Sequence, residues 1–159
     1  MNCETPEPDG VPILDGEPAN QIEIKAPFEK VARTLADIAN WPDWIAGLET
    51  TLLDKSQPIR VGHHHICVFP DQPLSITVEQ ITQKEDEFAL VENISPPRPL
   101  KKLLSVFRAN AGNGSVTVRH SYSYTRKKIV GRLFDLKSAG PMKMQSMMSL
   151  EKLKEMLES

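Results

Sequence analysis

The chain's most regular hydrophobic pattern begins at Ile22 and Ile24, which alternate with Gln21, Glu23 and Lys25 as in a strand with one buried face. Pro27 ends that strand and suits the first turn of a helix, where a missing N–H costs nothing. Phe28, Val31, Ala32, Leu35 and Ala39 then recur at i, i+3, i+4, i+7 and i+11, opposite Glu29, Lys30, Arg33 and Asp37. This predicts an amphipathic helix that ends near Asn40, because a residue before a proline, here Trp41, is pushed out of the helical region. A short second turn would place Trp41 and Trp44 on one side.

Six further strands are predicted. Residues 48–55 form a short one and residues 63–69 the next, followed by a turn at Pro70-Asp71-Gln72-Pro73. Leu74, Ile76 and Val78 share one face of the fourth strand, and Phe88, Leu90 and Ile94 one face of the fifth. The sixth covers residues 101–110, and Gly112-Asn113-Gly114 supplies a tight hairpin. In the seventh, Val116, Val118, His120, Tyr122 and Tyr124 occupy one face, and Thr117, Arg119, Ser121, Ser123 and Thr125 the other. One face needs a cover. That cover is a final helix opened by Pro141, with Met142, Met147, Leu150, Leu153, Met156 and Leu157 as its apolar stripe. A separate short helix or turn is expected over residues 129–137, broken from the main one by Ser138-Ala139-Gly140. The order of elements is that of an α+β domain.

Ala26-Pro27, Val31, Leu35-Ala36-Asp37 and Trp41-Pro42-x-Trp44, together with this order of elements from about residue 20 onward, resemble the SRPBCC superfamily. These are the helix-grip proteins: START lipid-transfer domains, birch-pollen-allergen-like proteins and polyketide cyclases. The sequence is most similar to the polyketide cyclase/dehydrase and lipid transport branch. The resemblance implies a helix-grip fold, a seven-stranded curved antiparallel sheet wrapped around a long C-terminal helix, with two short helices between strands 1 and 2. It also implies a functional cavity between sheet and helix.

Composition narrows the choice. Residues 1–19 hold four prolines and two glycines and read as an N-terminal tail, with residues 20–159 as one domain; Val11, Ile13 and Leu14 are apolar enough to lie against it. A chain of 159 residues buries a sufficient core without staples. The net charge of -2 gives no reason to expect nucleic acid. Cys3 and Cys67 do not suggest a disulfide, so a reducing cytoplasm is the expected setting. No run of apolar residues is long enough to span a bilayer, and no secretory signal is evident.

Candidate chemistry lies on the inward strand faces and the last helix. Five of the six methionines fall between 142 and 156, and methionine adapts to varied apolar partners as readily as it fills an ordinary core. His120, Tyr122 and Tyr124 put polar tips on an apolar face, where each needs a partner. His120 is a candidate acid or base, although no Asp or Glu follows on its face to orient it. His63, His65 and Cys67 share one face of the third strand and have zinc-ligand character, but no fourth ligand stands at a suitable spacing, so no metal is expected. Phe69 argues for that face pointing inward, Ile66 and Val68 for the other. Arg98, Lys101 and Lys102, with Arg126, Lys127, Lys128 and Arg132, would form a positive rim or plain solubilising charge. Neither G-x-S-x-G nor Cys-x-x-Cys occurs.

The expected function is sequestration or carriage of an apolar or amphipathic small molecule, lipid, polyketide or isoprenoid-like, without a cofactor. The expected ligand-binding residues are His65, Cys67, Phe88, Leu90, Phe107, Val118, His120, Tyr122, Tyr124, Met144, Met147 and Met148. Two alternatives remain: a cyclase or aromatase using the same cavity, and a protein-interaction module whose interior is filled.

Overall fold

The computed structural model describes the backbone of residues 18–95, 100–126 and 130–159, and the side chains of residues 18–95, 102–125 and 139–159. Strand β1 (Ala19–Ile24) leads into α1 (Phe28–Ala36), a 3₁₀ helix (Ile38–Asp43), β2 (Thr50–Leu52), β3 (His64–Val68), β4 (Pro73–Gln83), β5 (Glu87–Ile94), β6 (Leu100–Ala111), β7 (Val116–Arg126) and α2 (Val130–Glu158). The strands form one antiparallel sheet in the order β1-β7-β6-β5-β4-β3-β2. It curls as a half-barrel, with a β-bulge in β4 between Val78 and Gln80, the kind of extra residue that bends a strand. The α+β class expected from the pattern and the helix-grip architecture implied by the resemblance are both observed.

Pro27 stands at the N-cap of α1, and its carbonyl accepts the N–H groups of Lys30 and Val31. Val31, Ala32 and Leu35 are buried. The periodicity reaching Ala39 does not belong to one helix. The α-helix stops at Ala36, Asp37 breaks the ladder, and a 3₁₀ helix containing Pro42 follows. Its tighter winding turns Trp41 back, so that Nε1 donates 3.0 Å to the carbonyl of Leu35 in the last turn of α1. The β6–β7 hairpin closes as read, with Gly114 at φ +77° and Gly112 N–H donating to Ser115 O at 2.8 Å.

At the C-terminus the sequence expectation needs a correction. Residues 130–158 form one continuous helix, and Gly140 and Pro141 lie inside it. Proline removes a single rung of the hydrogen-bond ladder, and the turns that follow it are anchored in the core, which keeps the helix intact. Leu150, Leu153 and Leu157 enter the core beside α1 and β1. Polar stitches hold the same side closed. Asn20 Nδ2 donates to Lys143 O (2.8 Å), Lys154 Nζ to Glu23 O (2.7 Å) and Lys25 N to Glu158 Oε1 (2.7 Å). The core is therefore tight along β1, and any gap must open toward the other edge of the sheet.

Strand β1 begins at Ala19, and the carbonyl of Pro18 accepts the N–H of Tyr122 at 3.1 Å. Val11, Ile13 and Leu14 lie outside the described residues. No helix among those described is long and apolar enough to cross a membrane.

Candidate functional site: a cavity between the sheet and the C-terminal helix

A cavity of about 490 Å³ separates the inner face of β3–β7 from α2. The 3₁₀ helix supplies one wall through Trp41, the strands supply Ile76, Ile94, Leu103 and Phe107, and α2 supplies Met142. Asp71 and Gln72, in the exposed turn after β3, stand where the cavity meets solvent. The volume falls in the range of small-molecule sites, and the walls are mostly apolar.

The aromatic groups form a continuous floor. Trp41 and Trp44 meet edge to face with centroids 5.9 Å apart, and each lies 5.7 Å from Phe107. Phe107 stacks on the His120 imidazole at 4.0 Å and 5°, and Tyr122 meets that imidazole edge-on at 4.7 Å. Such contacts add to area burial and fix ring orientation. Among the expected site residues, Cys67, Phe107, His120 and Tyr122 border the cavity.

His120 is fully engaged. Its Nε2 lies 3.0 Å from Ser105 Oγ and its Nδ1 2.7 Å from Ser146 Oγ, so hydroxyls from β6 and α2 satisfy both nitrogens. Burial drives its pKa down to about 3, leaving the imidazole neutral at ordinary pH. Tyr122 OH reaches Gln145 Oε1 at 3.5 Å, and burial followed by the charge of Glu92 raises its pKa. Gln145 Nε2 donates to Ala46 O (3.1 Å) and Ser149 Oγ accepts from Ala46 N (2.9 Å), tying α2 to the segment after the 3₁₀ helix.

The ambiguity in β3 is resolved by burial. His63, His65 and Cys67 point inward, His64 is exposed, and Ile66 and Val68 are only partly covered. His65 does not border the cavity but stands behind it, 0% exposed, with Nε2 3.1 Å from Glu92 Oε2 and its ring edge-on to Trp41 at 5.8 Å. The pair is close enough for an ion pair but lacks hydrogen-bond alignment, so His65 Nδ1 and Nε2 and Glu92 Oε2 are all without hydrogen bonds. Glu92 itself, 1% exposed, borders the cavity. Burial raises its pKa, opposed by His65. Cys67 is pushed up to about 12 by burial and then by Glu92, which keeps it a thiol.

Glu92 is the residue the pattern reading missed. Phe88, Leu90 and Ile94 already defined the inward face of β5, and the same parity includes position 92.

Several expected site residues lie elsewhere. Phe88, Leu90 and Val118 are completely buried but belong to the solid core beyond the cavity. Tyr124 is partly buried against that core. Met144 and Met148 are 67% and 50% exposed, on the outer side of α2, and Met147 is half-buried without bordering the cavity. A helix turns about 100° per residue, so Met144, Met147 and Met148 fall on a face turned away from Met142, and Met142 is the one that borders the cavity. Of the basic residues, Lys102 is exposed and pairs with Glu79 at 3.5 Å; the side chains of Arg98, Lys101, Arg126, Lys127, Lys128 and Arg132 lie outside those described. No cluster of three His, Cys, Asp or Glu residues suited to a metal occurs among the described residues.

Comparisons with known proteins fit this geometry. Solved structures with the same fold include a hypothetical protein of Helicobacter pylori, at TM-score 0.74 and 12% identity, covering 87% of this chain and 86% of the other. A START superfamily protein of Mycobacterium smegmatis follows at TM-score 0.63 and 15% identity, with 87% and 97% covered. A protein from the dynemicin biosynthetic locus has TM-score 0.62 and 15% identity, covering 89% of this chain and 46% of that one. The curated proteins contain no match. Residues 19–158 match the family described as polyketide cyclase / dehydrase and lipid transport, and the chain belongs to that family, within the SRPBCC superfamily.

Proposed function

We propose that this protein binds and carries an apolar or amphipathic small molecule in the cavity between the sheet and α2. The observation that supports it is the 490 Å³ of unfilled space lined by Trp41, Ile76, Ile94, Leu103, Phe107 and Met142. Burying a ligand's apolar surface there yields roughly 25 cal/mol per Å² before the ordering costs of binding are subtracted. Relatives described as a START superfamily protein and as part of the dynemicin biosynthetic locus support a small-molecule role. An interaction module with a filled interior would need that space occupied. Native mass spectrometry of protein purified from its own cells tests the proposal. A co-purifying apolar compound is expected; an apo mass, with no thermal stabilisation across a broad lipid and polyketide screen, overturns it.

A cyclase-type reading is supported by a different group from the one the sequence suggested. His120 has both nitrogens occupied and a strongly lowered pKa, whereas Glu92 is a buried carboxyl with a raised pKa at the cavity wall, the usual environment of a proton-transfer group. If the cavity catalyses a cyclisation or dehydration, Glu92→Gln abolishes turnover while ligand binding persists. Full turnover in that variant removes the reading.

A further inference from the structure

Across the cavity floor, strand register sets Glu92 of β5 opposite Ser105 of β6, and Ser105 opposite Tyr122 of β7. Residues paired in this way share one face and lie within side-chain reach of their neighbours. A polar belt therefore crosses an otherwise apolar surface. Two of its three members already have partners within the protein: Ser105 Oγ bonds His120, and Tyr122 OH reaches Gln145. The third has only His65, whose Nε2 lies 3.1 Å from Glu92 Oε2 without hydrogen-bond alignment.

A buried carboxyl oxygen left in this state costs free energy that the fold would otherwise shed by mutation, since an apolar residue of similar size would pack as well. The unused hydrogen-bonding capacity leaves room for a partner that arrives with the ligand. Whichever of His65 and Glu92 carries the proton of the pair, the carboxyl keeps lone pairs free to accept. The described cavity wall contains Asp71 and Glu92 but no Lys or Arg, so a carboxylate head group would meet like charge without compensation.

We propose that Glu92 is a specificity-determining residue: the cavity selects apolar molecules that carry a hydroxyl, whose O–H donates to the Glu92 carboxyl, over ether and carboxylate analogues of the same chain. This rests on the cavity being the ligand site. Ser105 lies beside the donor position and Tyr122 one strand beyond it, and Trp41 lines the same cavity.

The test uses decanol, decyl methyl ether and decanoate, titrated into the full chain at neutral pH. Emission of Trp41, one of only two tryptophans, provides the readout, checked by calorimetry. Decanol is expected to bind about tenfold more tightly than the ether, the difference one good hydrogen bond to an ionisable group makes, and decanoate more weakly than both. In Glu92→Met the preference for decanol over the ether falls to about twofold or less. Should that variant fail to fold, Glu92→Gln serves instead: it keeps an acceptor, so it retains the alcohol preference while admitting decanoate. Equal binding of all three compounds by the native protein, or tightest binding of decanoate, overturns the proposal and leaves the cavity as the ligand site. Failure of the native protein to bind any of them, or any other apolar compound, removes the site as well.

Discussion

Two histidines sit buried on the same curved sheet, and they have opposite surroundings. His120 stacks on Phe107 and has a serine hydroxyl at each ring nitrogen. His65 has a carboxylate 3.1 Å away, no aligned hydrogen bond and an unpartnered Nδ1. The first is a completed structural joint between β6, β7 and α2. The second is incomplete in the protein alone, beside a carboxyl on the cavity wall. A polar group on an apolar face is thus functional or structural according to whether the fold has already used its hydrogen-bonding capacity, and residue type alone does not decide it.

The largest effect should come from dividing the incomplete pair. His65→Leu leaves Glu92 buried without its polar neighbour at 3.1 Å and should lower unfolding free energy by about 3 kcal/mol at neutral pH. Adding Glu92→Leu should restore most of the loss, because replacing a whole buried pair by apolar side chains is often neutral. Urea denaturation of the two variants measures both. A single variant as stable as the native chain would mean that Glu92 is not held by His65.

The two sites also predict opposite pH dependence. His120 has its folded pKa lowered from 6.5 to about 3, so the unfolded chain binds more protons in that window and stability falls as pH drops through it. The slope is at most about 1.4 kcal/mol per pH unit. His63, lowered by burial and by His65, acts in the same direction. Glu92 has its folded pKa raised above 4.5, so its contribution is greatest at low pH and is lost as pH rises through the folded value. Thermal unfolding followed from acid to neutral pH should show a shallower acid limb in His120→Gln and a flatter upper limb in Glu92→Gln. Unchanged limbs in both variants would contradict the burial assigned to these groups.

A milder test addresses the completed site. Ser146→Ala removes the hydroxyl at His120 Nδ1 without disturbing the stacked ring, and should cost about 1–2 kcal/mol by denaturant titration. It should leave ligand affinity unchanged, since Ser146 does not border the cavity. A loss of affinity larger than the loss of stability would mean that the orientation of His120, which borders the cavity, matters to the ligand.

What the sequence conveyed follows from what one-dimensional patterns contain. The alternation along Val116–Tyr124 predicted β7 because one face is buried from Val116 to Tyr122, and Trp41-Pro42-x-Trp44 marked a turn whose indoles both enter the core. Parity in β3 was ambiguous because its two outward apolar residues, Ile66 and Val68, are themselves partly covered, which blurs the contrast between faces. Glu92 was passed over because an acidic residue in an apolar alternation reads as an interruption, although its position between Leu90 and Ile94 fixed its direction. The helix break expected at Gly140-Pro141 is a local preference overridden by the packing of the turns that follow. Hydrogen bonds such as Ser146 to His120 join residues distant in sequence, and no spacing rule announces them.

The smallest expected effect separates the methionines. Met144 and Met148 are mostly exposed on the outer face of α2, whereas Met142 borders the cavity, so a cluster that looks uniform in sequence divides by helical phase. Met144→Ser and Met148→Gln should each change stability by no more than about 0.5 kcal/mol, as surface substitutions do, and leave ligand affinity where it was. Met142→Ala removes apolar contact from the cavity wall itself, and should weaken binding of an apolar ligand several-fold with little loss of stability. Calorimetric titration of one ligand against the three variants checks the division. If Met144→Ser weakens binding as much as Met142→Ala, the ligand reaches around α2, and the binding surface is larger than the cavity between sheet and helix.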